Sequence, residues 1–594
     1  MASKATSKKS KNASILPEIE NKYLLWGSYF VFMILIFSVT SHKIEDDDFF
    51  WHLSTGKFIS ENGYVPDRDV FGYTSPDTKW IPFEWGSDLL FYKLYHLSGY
   101  TGVYVFRSLI FCFIFIILFR LFDKFKVNTT ISLLFSFLLL IGLFNRYSPR
   151  PHLFTYLFLT LLLYLLLSYR YINREKYFKR LYALPVLFLL WGNMHPGVIT
   201  GLIVLFLFLL SEFFTYRFPG KSGSRDQTAI LVDSLKKLVI LFAVSALVLL
   251  LNPHGYNTYV YVYEHTNMKM LENIAEWLSP FSDKINPTFV ITLYKVILFA
   301  SLIVLYYAYK KKDLLFALLT LFFGVYSVTA IRFTADFELI VIPLLVICTG
   351  ILMQNLHNTS LRKIIQGNPV KIVLILLFSY LAVQFQRDEF YISIQYNREA
   401  GLGISNRYFP LGLYKFTKDN NIQGIPFNNF DTGGYMKWEK PDQKIFIDSR
   451  NLSDELYNEY NSILKMQPGF EAKLEKYGIN QVIFFEPMLT RFPNTIKQNI
   501  TEFLFHNKDW VLVYFDDLSF LFLKRTPENA EVINKYAYTV FNPYTALFNM
   551  PQFNSDVKNS PTAAQNEANR KLAEEPNGYF FSGMNGMLKQ ILKK

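Results

Sequence analysis

Cysteine is nearly missing from the sequence: two residues in 594, Cys112 and Cys348, both inside apolar runs. That excludes a disulfide framework and a cysteine-based zinc site, and it leaves the redox compartment unread. Charge is scarce as well. Asp, Glu, Lys and Arg make up 18% of the chain, where an ordinary soluble enzyme has about a quarter. Hydrophobic residues at 51% exclude a disordered chain, and no collagen-like or other internal repeat is visible. The first apolar run, Tyr23 to Ser41, is followed by acidic sequence without a small-residue cleavage pattern, so it reads as a retained span and not a signal peptide. What the chain does have is apolar and aromatic, with 59 Phe and 39 Tyr. A membrane protein is the reading.

A hydrocarbon core of about 30 Å needs roughly 20 apolar residues in a helix. Such runs lie near 23–41, 101–120, 130–145, 152–170, 182–193, 198–214, 238–252, 289–308, 314–331, 337–353 and 371–386, about eleven in all, several of them short. The net charge of +12 then finds an address. Lys4, Lys8, Lys9, Lys11 and Lys22 precede the first run; Lys124 and Lys126, Arg174 to Arg180, Arg217 to Lys237, Lys310 to Lys312, and Arg362, Lys363 and Lys371 fall on the same side when the runs are counted as spans. The positive-inside rule makes that side cytoplasmic, with residues 1–22 as a basic cytoplasmic tail. Nucleic-acid binding is not expected, because topology accounts for the cations. The first loop (42–100) and everything after about 387 then face outward, into periplasm or cell exterior. A bacterial inner membrane is the expected location.

The tail has a different texture. Short strand-like runs at 444–448, 481–485, 510–514 and 519–524 alternate with amphipathic stretches at 453–466 and 494–507. This alternation predicts a small soluble α/β domain over 387–525. Residues 526–594 read as a partly flexible extension, with 553–575 a loop or linker, with or without a terminal helix. The expected architecture is mainly α: a polytopic helix bundle over 23–386 with a C-terminal extracytoplasmic α/β domain.

The first outward loop carries the densest chemistry. Glu45, Asp46, Asp47 and Asp48 follow directly on the first span, and Trp51 and His52 follow them. Four consecutive acids repel one another, which raises some of their proton affinities or demands a cation between them. A helical pattern starts at Asp48 and stops at Gly63, so Asp48 is placed to cap that helix with His52 one turn on from the same face. A solvated acidic cap is the plainer alternative. Val65 to Asp69, Gly72 to Pro76 and Trp80 to Trp85 follow, a Pro-, Gly- and Trp-rich path leading into an amphipathic helix at about 84–98 on the membrane surface.

Polar corners recur at other outward span ends: Asn145 to His152 with Arg146, Arg150 and His152; Trp191 to Gly197 with His195; Asn252-Pro253-His254; and Arg332 with Asp336. Ionisable groups at membrane depth are expensive, so their repetition at one end points to a functional cavity. Acids supply a general base or metal ligands, and Arg and His bind phosphate, which together suit transfer from a lipid phosphate to a hydroxyl.

These residues resemble the GT-C superfamily of integral membrane glycosyltransferases, and within it a bacterial group whose first loop reads Asp-x-Asp-x-x-Trp-His-x-x-x-Gly, then Pro-x-x-Asp-x-Phe-x-Tyr-Thr, then Trp-x-x-x-Glu-Trp. The matching positions are Asp46, Asp48, Trp51, His52 and Gly56; then Pro66, Asp69, Phe71, Tyr73 and Thr74; then Trp80, Glu84 and Trp85. Arg150-Pro151-His152, Trp191-x-Asn193-x-His195, Asn252-Pro253, Glu276-Trp277-Leu278-Ser279-Pro280, Asn428, Gly433-Gly434-Tyr435 and Ile447-Asp448-x-Arg450 extend the resemblance over about 40–525.

The resemblance implies inverting transfer of a sugar from a polyprenyl-phosphate donor to an acceptor hydroxyl on a glycan, lipid or protein, on the outer membrane face. It implies an acidic first-loop residue as base, Asp46 or Asp48 by position, with Asp47 unassigned. His52, Glu84, Arg150, His152, His195 and Arg332 are the candidates for donor phosphate or substrate binding. Asp46 and Asp48 are also the ligands for a divalent cation such as Mg or Mn where the activity uses one. The competing reading is a non-catalytic GT-C-like protein: a lipid-linked glycan flippase, a polymer-assembly partner or a scaffold. Transport favours charges near the midplane, whereas these sit at span ends.

Overall fold

The computed structural model describes residues 22–218, 225–355 and 364–593, with 225–232 and residue 355 described as backbone only. The basic tail with Lys4, Lys8, Lys9 and Lys11, as well as Lys221, Arg362 and Lys363, lies outside the described residues.

Helices dominate because the long apolar runs have no other way to satisfy their backbone in a hydrocarbon environment. Among the described residues eight are long and apolar enough to cross a membrane: Lys22–Thr40, Trp85–Lys124, Thr129–Arg146, His152–Tyr171, Val198–Arg217, Phe289–Lys311, Ile331–Gln354 and Asn368–Gln386. The eleven expected spans are therefore not all reached. Leu184–Met194 and Leu314–Ser327 are apolar helices of 11 and 14 residues, which rise only about 16 and 21 Å at about 1.5 Å per residue. The run near 238–252 is the end of helix Arg225–Leu247 and the single turn Val248–Leu250.

Helix Trp85–Lys124 contains a break that separates its two jobs. Ser98 (φ −149°) and Gly99 (φ 62°) leave helical geometry, a conformation that glycine adopts without strain. The first half lies under the first loop, and the second half, Tyr100 onward, is the expected apolar span. The first span packs on the last, with Phe32 meeting Phe378 at 5.1 Å and Phe115 at 5.6 Å between ring centres.

The C-terminal unit holds one four-stranded sheet. Its strands are β1 (Pro426–Asn428), β2 (Gln481–Phe485), β3 (Trp510–Phe515) and β4 (Ser519–Lys524), in the order β1-β2-β4-β3. β1 runs parallel to β2, and the remaining pairs are antiparallel, with Ile483 opposite Leu521 and a register shift between Leu512 and Tyr514. Every strand residue but Lys524 is buried, so helices cover both faces.

Two expectations are corrected here. Residues 444–448 are no strand of this sheet: Ile445 pairs instead with the first loop, its N–H donating to the Phe71 carbonyl (3.2 Å) and its carbonyl accepting from Tyr73 (3.1 Å). The stretch 553–575, expected as loop or linker, is helical: Met550–Asn559 and Pro561–Glu574, followed by Tyr579–Lys593. The Glu567 carboxylate fixes this tail by accepting the N–H groups of Thr539, Val540 and Phe541 at 2.7–3.0 Å.

The first loop is the seam between bundle and C-terminal unit. Tyr73 donates to the Pro426 carbonyl (2.7 Å) and Thr74 to that of Phe446 (2.6 Å). Arg450 bonds Asp69 and Asp448, both at 2.8 Å, and stacks between Phe71 and Trp80 at 4.7 and 4.4 Å. The Gly-Tyr-Thr and Asp-x-Arg motifs are thus two halves of one joint.

A candidate active-site cavity

At the end of the bundle where the first loop sits, a cavity of about 480 Å³ is enclosed by the first loop, four inter-helix turns and the C-terminal unit. Asp48, His52, Glu84, Arg150, His152, His195 and Arg332 all line it. Asp46, Asp47 and His254 do not.

The four acids of the first loop separate into different environments. Glu45 pairs with Arg398 at 2.5 Å. Asp46 sits behind the cavity wall, its Oδ1 accepting the Asp48 N–H at 3.1 Å and its Oδ2 lying 3.6 Å from Arg150. Asp47 does not line the cavity: it accepts the N–H groups of Gly434 (3.2 Å) and Tyr435 (2.8 Å) at the start of helix Gly433–Glu439 and, at 3.4 Å, the Ser449 hydroxyl. Burial pushes the Asp47 carboxyl well above the ordinary range, against those two bonds. The contact requires glycine, since a Cβ at Gly434 would stand 2.8 Å from the Asp47 carbonyl oxygen. Asp48 alone faces the cavity, bonded to the Arg150 guanidinium and the Ser449 hydroxyl. Asp48 is the first residue of helix Asp48–Asn62 and does not cap it; the cap position belongs to Asp47, which makes no side-chain cap bond. The helix ends at Gly63 (φ 75°) as expected.

The cation that the crowded acids demand is Arg150 for Asp46 and Asp48. That pairing does not suit a metal site. Both carboxylates already face a guanidinium, which a divalent cation would have to displace.

Arg150 belongs to a triad. Arg146, Arg150 and Arg332 surround Glu276 at 3.1, 3.8 and 3.9 Å. Burial opposes ionisation of Glu276, but the guanidinium groups of Arg150, Arg332 and Arg146 outweigh it and hold the carboxyl well below its ordinary range. Arg332 also lies flat over Trp277, 4.1 Å away. On the opposite wall Glu84 stands between two imidazoles, 3.6 Å from His52 Nε2 and 3.3 Å from His195 Nε2. Burial pushes Glu84 up to about 8 and both histidines well below their ordinary range, so the rings are neutral at pH 7. The tautomer of His195 is set by its neighbours. Nδ1 accepts the Gly197 N–H (3.0 Å) beside the Thr155 hydroxyl (2.7 Å), which itself accepts from Trp191 Nε1 (2.8 Å), so the ring proton sits on Nε2 and points at Glu84. His52 Nδ1 is anchored on Asp88 at 2.6 Å. His152 bonds only the Arg146 carbonyl (3.0 Å) among the described residues.

The walls are aromatic, with Trp51, Trp80, Trp277, Tyr156, Tyr261 and Tyr326 among the lining. Trp51 Nε1, Arg146 Nη2 and Tyr261 Oη, on residues of this lining, are buried without a hydrogen-bond partner among the described residues. One flank reaches the apolar outer surface at Ile199 and Tyr263, which are 41% and 71% exposed. Sequence reasoning overlooked Glu276, Asp88 and Ser449 as members of this site. The first appeared only within the Glu-Trp-Leu-Ser-Pro motif, and no local pattern marks the other two.

No protein-family model matches the sequence, and no curated protein matches it. The fold does have counterparts. The archaeal oligosaccharyltransferase AglB from Archaeoglobus fulgidus, in complex with an inhibitory peptide and a dolichol-phosphate, superposes with a TM-score of 0.52 at 11% identity, over 82% of this chain and 73% of that one. Its apo form gives 0.50 at 12% identity, over 82% and 72%. The chain shares the fold of this oligosaccharyltransferase. ArnT from Cupriavidus metallidurans bound to undecaprenyl phosphate also aligns, over 85% of this chain and 99% of that one, at a TM-score of 0.48 and 10% identity. The eight described helices that are long and apolar enough to cross a membrane support an integral, multi-pass membrane protein. The cavity lies under the first loop, between the bundle and the C-terminal unit.

Proposed function

We propose that the protein is a membrane glycosyltransferase that moves a sugar from a polyprenyl-phosphate donor to an acceptor hydroxyl. The observation that carries the reading is one cavity lined by a first-loop carboxylate, Asp48, paired with Arg150, and by the further guanidinium groups of Arg146 and Arg332, with a flank open to the lipid-facing surface at Ile199 and Tyr263. The archaeal neighbour in complex with a dolichol-phosphate supports a lipid-linked donor through the shared fold. By the charge distribution of the loops, the cavity faces outward and the N-terminus is cytoplasmic.

In this mechanism the donor's isoprenoid enters along the Ile199 flank and its phosphate is bound by the arginine triad, sharing it with Glu276. The acceptor O–H loses its proton to the Asp48 carboxylate as its oxygen bonds to the anomeric carbon. The bond from that carbon to the phosphate oxygen breaks on the opposite side, with inversion, and the electron pair leaves with the lipid phosphate, whose developing charge the guanidinium groups stabilise. Asp46 holds Arg150 from behind and is the less direct candidate for base. Asp47 is assigned to the joint with the C-terminal unit. Aromatic walls give the sugar ring stacking surfaces.

The test uses purified protein and radiolabelled polyprenyl-phosphate sugars with membrane extracts as acceptor. Asp48→Asn should bind the donor and transfer at least about 100-fold more slowly, while Asp47→Asn, once folded, should keep most activity. Wild-type transfer by Asp48→Asn sinks the base assignment. Donor binding without any turnover by the wild type points instead to a flippase, assembly partner or scaffold.

A further inference from the structure

At the end of the bundle opposite the cavity, two hollows meet. The first, about 490 Å³, is lined by four cations, Arg120, Lys124, Lys176 and Arg180, against one acid, Asp123. Arg120 and Lys124 come from the last two turns of helix Trp85–Lys124. Lys176 and Arg180 come from the eight-residue helix Arg174–Leu181, which turns Tyr177 and Leu181 inward and its charges outward between two apolar helices. The second hollow, about 780 Å³, shares Arg120 and Asp123 with the first and continues along Trp26, Phe30 and Met33 of the first span with Ile116 and Phe119 facing them.

The positive-inside rule explains why cations gather at this end, but it does not make them converge. Neighbouring cations at the same end are neutralised: Arg170 and Arg174 both bond Glu212, at 2.5 and 2.7 Å. By contrast, Arg120, Lys124, Lys176 and Arg180 have no acidic partner within 4 Å among the described residues. Aromatic rings hold two of them in place instead. Lys124 lies 5.6 Å from Tyr164 and 5.1 Å from Tyr177, and Arg180 lies 4.9 Å from the same Tyr177 ring. Oriented cations converging around one carboxylate form a receptor for an anion. The adjoining furrow specifies what carries that anion, for it is apolar and its rim residues Trp26 and Phe30 are 69% and 67% exposed, as suits contact with a hydrocarbon chain.

We propose that the paired hollows are a binding site for an anionic membrane lipid, with the phosphate headgroup among Arg120, Lys124, Lys176 and Arg180 and one chain along the Trp26–Phe30 furrow. The site is separate from the cavity under the first loop and stands whether or not that cavity transfers a sugar.

Trp26 is a reporter inside the site. The full-length protein is placed in phosphatidylcholine vesicles containing a small fraction of either phosphatidylglycerol or phosphatidylcholine with brominated chains, and the Trp26 signal is taken as the difference between wild type and Trp26→Phe. Brominated phosphatidylglycerol should quench that signal at a mole fraction about tenfold lower than brominated phosphatidylcholine, and the preference should shrink with added salt. Lys176→Gln/Arg180→Gln, whose side chains are exposed and whose fold is checked by circular dichroism, should abolish the preference. Equal quenching by the two lipids overturns the proposal, as does a preference that survives in the double variant. Relief of quenching by millimolar inorganic phosphate as effectively as by unlabelled phosphatidylglycerol would also overturn it, because the site would then read phosphate without its lipid.

Discussion

Glu84 shows how one buried carboxyl couples the cavity to pH. Its proton affinity is raised from 4.5 to about 8, chiefly by burial, so the folded protein favours the neutral form. The cost of ionising it is absent below the unfolded value near 4.5, grows as pH rises between 4.5 and 8, and is complete above 8. Glu84→Gln removes that titration. The thermal midpoint of the wild type should therefore fall relative to Glu84→Gln between pH 5 and 8, by the equivalent of about 1.4 kcal/mol for each pH step of one within that interval. Parallel midpoint curves for the two proteins would show that Glu84 does not titrate there. The same environment gives the carboxyl a proton affinity close to physiological pH, so its ionisation changes the charge beside the arginine triad, and Glu84→Gln should flatten the alkaline limb of the activity profile. The charged residues of this wall were legible in the sequence because each stands in a short polar corner between apolar runs. Their division of labour was not. Asp46, Asp47 and Asp48 are adjacent in sequence, and only the positions of Gly434, Arg150 and Ser449, residues 100 to 400 places away, decide which of the three faces the cavity.

Among the elements, the long apolar helices and three of the four strands, β2, β3 and β4, lie where the sequence pattern placed them, and the misreadings have a physical reason. A membrane helix satisfies its own backbone, so an apolar run of sufficient length is enough to announce it. A strand is defined by its partner. Ile445, Phe446 and Ile447 have the pattern of a sheet strand, but the partner of Ile445 is the first-loop segment near Gly72. β1 went unread because it has three residues and begins with Pro426, which an edge strand tolerates at its first position. The C-terminal helices were missed because their polar composition resembles a linker, while their anchor is one buried carboxylate. Glu567 accepts three consecutive main-chain N–H groups and the Thr539 hydroxyl. Glu567→Ala leaves the N–H donors of Val540 and Phe541 buried and unpaired and should cost about 1–3 kcal/mol. Hydrogen exchange should then speed up in 539–541 and in Pro561–Glu574 while the bundle keeps its protection. Unchanged exchange in 539–541 would mean that apolar packing, not Glu567, holds the tail.

At the scale of the whole molecule, the cavity exists because the C-terminal unit is seated on the first loop. Ser449, Arg450 and Asn451 supply part of its wall, and Arg450 is also the clasp, bonded to Asp69 of the loop and Asp448 of its own segment. Burial works against ionised Asp69, but Arg450 and the N–H of Phe71 outweigh it and keep the carboxyl below its ordinary range. Removing the guanidinium leaves two buried carboxylates facing each other with no counter-ion, a change that costs about 3–5 kcal/mol when one partner of a buried ion pair is deleted. Arg450→Ala should therefore loosen the joint before it unfolds the bundle, seen as protease cleavage between 387 and 426 and loss of donor binding while the helical signal persists. Replacing all three charges together, as Asp69→Asn/Arg450→Met/Asp448→Asn, removes the stranded carboxylates and should recover most of the protease resistance. If the triple variant is as sensitive as Arg450→Ala, the clasp acts through the stacking of Arg450 between Phe71 and Trp80 and not through its charge. Donor binding then separates the two roles of the joint: a triple variant that is seated but does not bind donor would place Arg450 in the cavity's recognition of its ligand as well as in the clasp.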